Sequence, residues 1–168
     1  NPEFYYKYYF DKNNTSFWLT WNKRNYNLAR VKNWQKAVIG CPYVHYRKLN
    51  KLRKSYRAIG TIFYPQHGTE KDFVDIDYNS IIQELKSLPP SHQPVTVSLF
   101  HTDYLDDGIR SQYENNFPVA SAGDPFSESY MSNFYSTLHK HKYAIGNDVT
   151  TASLLAIESG IPFFLTKN

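Results

Sequence analysis

From Ala58 onward the chain alternates between short apolar runs and stretches with helical spacing. Ile59-Gly60-Thr61-Ile62-Phe63-Tyr64 is an apolar run stopped by Pro65. Tyr78, Ile81, Ile82, Leu85 and Leu88 then recur at i, i+3, i+4, i+7 and i+10, one face of a helix, with Asp77 as its N-cap and Pro89-Pro90 as its stop. Val95 to Phe100 reads as the next strand and part of 105–115 as a helix. Phe117 to Ala122 is a third strand halted by Gly123. Ser127 caps a helix with Tyr130, Met131, Phe134, Tyr135 and Leu138 on one stripe. Tyr143 to Gly146 is a short strand, 150–159 a helix closed by Gly160, and Pro162 to Leu165 the last strand.

This alternation predicts an α/β fold: a doubly wound, Rossmann-like parallel sheet of about five strands with helices on both faces. The strands are apolar throughout, as strands buried on both faces are. Residues 1–54 have a different character, rich in Tyr, Asn, Lys and Trp. Phe17-Trp18-Leu19-Thr20-Trp21 and Ala37-Val38-Ile39 read as strands, and 48–54 as a charged connector or exposed helix. No complete core is legible there. The expected organisation is a partial amino-terminal segment, 1–54, before an α/β domain, 55–168.

Composition narrows the class without selecting a ligand. With 41% hydrophobic and 20% charged residues the chain is globular rather than disordered. No apolar run approaches the roughly 20 residues of a membrane helix, and no secretory signal is expected from the opening residues. It starts at Asn1 rather than Met, so a processed product or part of something longer is expected. The single cysteine, Cys41, reads as a small buried residue in a reducing compartment. Net charge is +4, from 19 basic and 15 acidic residues, with many cations between Lys32 and Arg57. That excess permits a membrane face, a glycan or a phosphorylated ligand. Fifteen tyrosines would allow stacking on nucleic acid, but no RNA-binding signature accompanies them, and nucleic acid is not an expected partner.

Parallel sheets of this kind bind ligands beyond the carboxyl ends of their strands, which selects four loops. The first holds His67, Gly68 and Thr69: a close backbone approach, a hydroxyl, and an imidazole that can meet a phosphate. The second, His101-Thr102-Asp103, contributes His101 and Asp103, and the third contributes Gly123 and Asp124. Asp124-Pro125 is also ordinary turn chemistry. The fourth, Gly146-Asn147-Asp148-Val149-Thr150-Thr151, leads into a helix. There Asn147, Asp148, Thr150 and Thr151 join free helix amides in a setting suited to phosphate, or else Asp148 or Thr150 simply caps the helix. Asp75-Ile76-Asp77 has a metal-diphosphate form but is read as helix capping. His139 and His141, two apart on a helix, do not share a face, and no metal site is expected.

The strings Gly60-Thr61-Ile62-Phe63-Tyr64-Pro65-Gln66-His67-Gly68-Thr69, His141 to Thr151, and Glu158-Ser159-Gly160-Ile161-Pro162-Phe163-Phe164 resemble the carboxyl-terminal, nucleotide-sugar-binding half of GT-B-fold glycosyltransferases of bacterial polysaccharide biosynthesis. Trp21-Asn22-Lys23-Arg24 and Ile39-Gly40-Cys41-Pro42 resemble the run before that half. The resemblance implies a metal-independent transferase needing no cofactor, with a nucleotide-sugar donor, a glycan or other acceptor, and a further amino-terminal Rossmann domain. It also implies a cytoplasmic setting at the inner face of a membrane, and His67 as a stabiliser of the leaving group. UDP-sugar 2-epimerases and CDP-alcohol phosphotransferases share the Gly-x-Pro ending, so both activities, and a non-catalytic assembly module, remain open. Thr150 and Thr151 stand where the epimerases carry glycines, which implies a hydroxyl-lined phosphate site. Leu155 stands where retaining transferases carry a ribose-binding Glu.

Overall fold

A computed structural model describes residues 17–28, 35–67 and 76–166. The chain divides into two compact units, the first ending at Tyr46 and the second beginning at Arg47. In the first, β1 (Phe17–Thr20) pairs in parallel with β2 (Gln35–Val38), and α1 (Lys23–Leu28) lies between them in sequence. The α2 helix (Pro42–Leu49) follows, with proline at its first position, where a missing N–H costs nothing. Among the described side chains of the first unit only Thr20 is buried. The strands were expected from sequence, whereas α1 and α2 were not.

The second unit is the expected doubly wound domain. Its strands are β3 (Thr61–Tyr64), β4 (Val95–Leu99), β5 (Val119–Ser121), β6 (Tyr143–Gly146) and β7 (Phe163–Leu165). They form one parallel sheet in the order β5-β4-β3-β6-β7. All four residues of central β3 are buried, and burial fades to the exposed Phe164 and Leu165 of the edge strand. Successive β3 side chains point to opposite faces. Phe63 joins Ile81, Ile82 and Leu85 of α3 (Tyr78–Lys86) and Tyr113 of α5 (Asp107–Glu114) in the core. Tyr64 stacks on Phe134 of α6 (Tyr130–Leu138) on the other face, with ring centroids 6.0 Å apart. Asp77 caps α3 as expected, its carboxylate accepting the Ser80 N–H at 3.0 Å. Asp75 lies outside the described residues.

Several boundaries differ from the sequence reading. His101, Thr102 and Asp103 are not a loop but the first turn of a short helix, α4 (His101–Leu105), which starts directly from the extended Phe100. The expected helix in 105–115 is α5, a separate helix started afresh by Asp106, which accepts the Gly108 and Ile109 amides. The third strand is shorter than Phe117 to Ala122. Pro118 has no N–H for the ladder, though its carbonyl still accepts from Val97 at 2.9 Å. The N-cap of α6 is Ser129 rather than Ser127. Asp124 accepts the Phe126 amide and the Ser127 hydroxyl bonds that of Ser129, so the chain turns twice before the helix begins. The last helix, α7 (Thr151–Glu158), ends at the expected Gly160. No described helix is long and apolar enough to cross a membrane.

Gly60 sits where three chain segments converge. Its φ is +60°, and a Cβ there would lie 2.1 Å from the Pro94 carbonyl oxygen. Gly160 also has positive φ, +74°, but nothing stands within 4 Å of its missing Cβ. Gly60→Ala is therefore expected to cost about 3 kcal/mol, strain plus backbone overlap, and Gly160→Ala about 1 kcal/mol, strain alone. Chemical denaturation of the two variants measures the difference, and equal losses would contradict the overlap.

His139 and His141 are buried. Burial pushes both imidazoles below their ordinary value of 6.5, with Arg47 adding to the effect at His139 and Lys140 at His141. The His141 Nδ1 lies 2.9 Å from the Thr137 carbonyl, to which the neutral ring donates. Between the lowered folded value and 6.5 the unfolded chain binds more protons, so stability rises with pH there. Denaturant midpoints should hold above about pH 6.5 and fall as the pH drops below it. Replacing both histidines with Asn should flatten that slope.

Candidate functional site

The strand order reverses at β3. The chain leaves it for β4 and β5 on one side, then returns to lay β6 on the other. In sheets of this winding the ligand crevice belongs where two neighbouring strands send their chains to opposite faces, which in this strand order falls between the carboxyl ends of β3 and β6. Tyr64 is in register with Gly146, so the loops leaving the two strands start level. The Gln66 N–H donates to Asn147 Oδ1 at 2.6 Å and joins them. Gly146 lets them come this near: a Cβ there would lie 3.1 Å from the Tyr64 carbonyl oxygen and 3.2 Å from that of Asp148.

Beside this bond the start of α7 offers hydrogen-bond donors. Asp148 accepts the Val149 amide at 2.6 Å, and the Ser153 hydroxyl accepts the Thr150 amide at 2.9 Å while donating to the Thr150 carbonyl at 2.7 Å. Thr150 is the N-cap residue. With those two amides engaged, the donors left for a ligand begin with Thr151 and Ala152 in the first turn. Thr151 is exposed and Thr150 half-buried. Capping bonds and free amide donors thus meet at one helix end.

On the β4 side His67 stacks on Phe100, with centroids 4.3 Å apart and planes 12° from parallel. Phe100 is the residue before α4, so His67 lies over the start of the helix that carries Asp103. Burial raises the Asp103 carboxyl above its ordinary range, opposed by the Thr102 hydroxyl and by nearby His67. Tyr78 and Tyr113 pack edge to face at 5.6 Å, and burial, with Asp103 contributing, raises both phenols. Among the described residues the buried Tyr113 hydroxyl has no hydrogen-bond partner, nor has that of Tyr64. Both therefore stay neutral.

The sequence-selected residues do not all meet. His67 and Asp103 come together at β3 and β4, and Asn147, Asp148, Thr150 and Thr151 at β6. His101 opens the same short helix as Asp103. Gly123 and Asp124 leave β5, two strands from β3 and so roughly 10 Å away. There the Asn133 amide ties the Ala122 carbonyl to α6 at 3.2 Å. Gly68 and Thr69 lie outside the described residues. Sequence reasoning missed Gln66, which acts through its backbone, and Phe100, which was counted as strand. Among the described residues no group of three or more His, Cys, Asp or Glu is placed to hold a metal. An open groove of about 540 Å³ lies at the opposite, amino ends of β4 and β5, between Lys86, Pro94 and Phe117, and shares no residue with the crevice. No family model, curated protein or solved structure matches the chain, so the crevice is read from its own geometry.

Asn147→Ala removes the acceptor that joins the two loops. It should cost about 1 kcal/mol, with the loss confined to the loops. Amide exchange at Gln66 should accelerate while that of β3 and β6 stays slow. Unchanged exchange at Gln66 would mean that the bond does not hold the crevice.

Proposed function

We propose that the α/β domain binds a nucleotide-linked sugar at the crevice between β3 and β6 and serves as the donor-binding half of a GT-B-type glycosyltransferase of polysaccharide biosynthesis. The observation that carries this reading is the Gln66–Asn147 bond across the point where the strand order reverses. It holds two polar loops side by side at the location where sheets of this winding take nucleotides. In this reading the diphosphate lies against the first turn of α7, receiving the amides of Thr151 and Ala152 and the hydroxyls of Thr150 and Thr151. Displacement at the anomeric carbon leaves charge on the departing diphosphate. Pre-aimed helix amides and a ring N–H of His67 stabilise that charge without reorganisation. The stack on Phe100 limits the imidazole to few orientations. The acceptor and the base that deprotonates it come from outside the crevice.

Calorimetric titration of the intact protein with uridine, cytidine and guanosine diphosphates, with and without Mg²⁺, tests the reading. One of the three should bind, and binding should not require the metal. A folded sample that binds none of them would overturn it. Thr150→Val with Thr151→Val keeps the β-branched shapes and removes both hydroxyls. If each makes a charge-assisted bond worth about 1.5–3 kcal/mol, affinity should fall by roughly a hundredfold or more. If Thr150 serves only as the N-cap, stability should fall by about 1 kcal/mol and affinity should stay unchanged.

A further inference from the structure

The strap between α2 and β3 carries Lys51, Arg53, Lys54 and Arg57, all exposed, and no acidic residue stands between Arg47 and Gly60. It is pinned at both ends. Arg47 makes a two-pronged pair with Glu158, its Nε to Oε2 at 2.7 Å and its Nη2 to Oε1 at 2.5 Å, and Ala58 is buried. Along its length the Ser55 N–H donates to the His139 carbonyl at 2.9 Å and the Ile59 N–H to the Lys140 carbonyl at 3.0 Å. The strap therefore lies on the turn before β6, where Lys140 and Lys142 add two more exposed cations. None of these six has a carboxylate partner among the described residues. Apolar side chains stand exposed along the same stretch: Leu49 is 70% exposed, Tyr56 89% and Ile59 59%. The Arg57 guanidinium lies over the Tyr56 ring, 5.2 Å from its centroid.

We infer that this strap and the turn beneath it are a docking surface for an anionic phospholipid membrane. Unpaired cations attract the negative headgroup layer, and apolar and aromatic side chains of this size bury in the boundary beneath it. Leu49 and Ile59 distinguish this partner from other polyanions, since a nucleic-acid or glycan backbone offers aliphatic side chains no apolar medium. The surface lies at the amino ends of β3 and β6, away from the crevice, and does not depend on what the crevice binds.

The test is flotation of the full chain with phosphatidylcholine vesicles and with vesicles in which about a third of the lipid is phosphatidylglycerol. The chain should float with the anionic vesicles only, and should be released on the order of 0.5 M salt, where the screening length has shrunk to a few ångströms. Neutralising Lys51, Arg53, Lys54 and Arg57 to Gln should weaken binding on the order of a thousandfold, about fivefold per charge. Tyr56→Ser with Ile59→Ser keeps every charge and should weaken it roughly tenfold. Circular dichroism checks that these exposed substitutions leave the fold intact, and the salt release of the unaltered chain gives a reading that needs no variant. A folded chain that stays unbound at low salt would overturn the inference. So would undiminished vesicle binding by the Tyr56/Ile59 variant together with equal capture on heparin, which would identify a general polyanion surface instead.

Discussion

The second unit depends on how closely the backbone packs where β3 begins. The Gly60 carbonyl accepts the Lys142 and Tyr143 amides at 3.0 and 3.2 Å, the Thr61 amide donates to the Pro94 carbonyl at 2.9 Å, and the Thr61 hydroxyl to that of His92 at 2.7 Å. These bonds bring the lead-ins of β4 and β6 onto the central strand from both sides, which is possible because residue 60 has no side chain. They also set the registers, Thr61 opposite Val95 and opposite Tyr143. A parallel ladder carries its register forward unchanged, so Tyr64 stands opposite Gly146 at the far end, roughly 10 Å on. The Gln66–Asn147 bond at the crevice thus follows from backbone packing at the other end of the strand.

Much of this fold was legible because local and tertiary signals agree. Asp77 before an apolar stripe predicts a capped helix, and the same stripe supplies Ile81, Ile82 and Leu85 to the core. Legibility failed where a local signal was silent or duplicated. The α4 helix is five residues long and follows Phe100, which makes no side-chain cap, so nothing in the sequence marked its start. Ser127 and Ser129 are equally good caps by type, and the choice between them rests on the turn that Asp124 builds. In α2 the expected signs were present, Pro42 at the first position and Arg47 and Lys48 in the last turn, but aromatic residues on several sides hid its period.

The site was legible to a different degree. Strand ends can be located by pattern, and His67, Asp103, Asn147 and Thr150 were selected for standing there. What joins them was not legible. Gln66 acts through an amide that every residue except proline carries, so its identity gives no signal. Phe100 continues an apolar run, and its ring becomes a platform only because the loop after β3 folds back over the neighbouring strand.

The two ends of the sheet differ in charge for a reason built into the winding. Helices of a parallel α/β sheet begin near the carboxyl ends of the strands and finish near the amino ends, so their partial positive charges gather at one end and their negative charges at the other. Carboxylates follow the first, with Asp77, Asp106 and Asp148 each accepting amides at or near a helix start. Lysines follow the second, Lys140 and Lys142 just beyond the end of α6. The dipoles therefore account for the sign of the basic surface. They do not account for Leu49, Tyr56 and Ile59 standing exposed within it, because a dipole gives no reason to leave apolar area in water. The same reasoning bears on the crevice. Asp148 already occupies one amide beside the start of α7, so an anionic ligand there must draw on the amides beyond it and on the threonine hydroxyls, or displace that carboxylate.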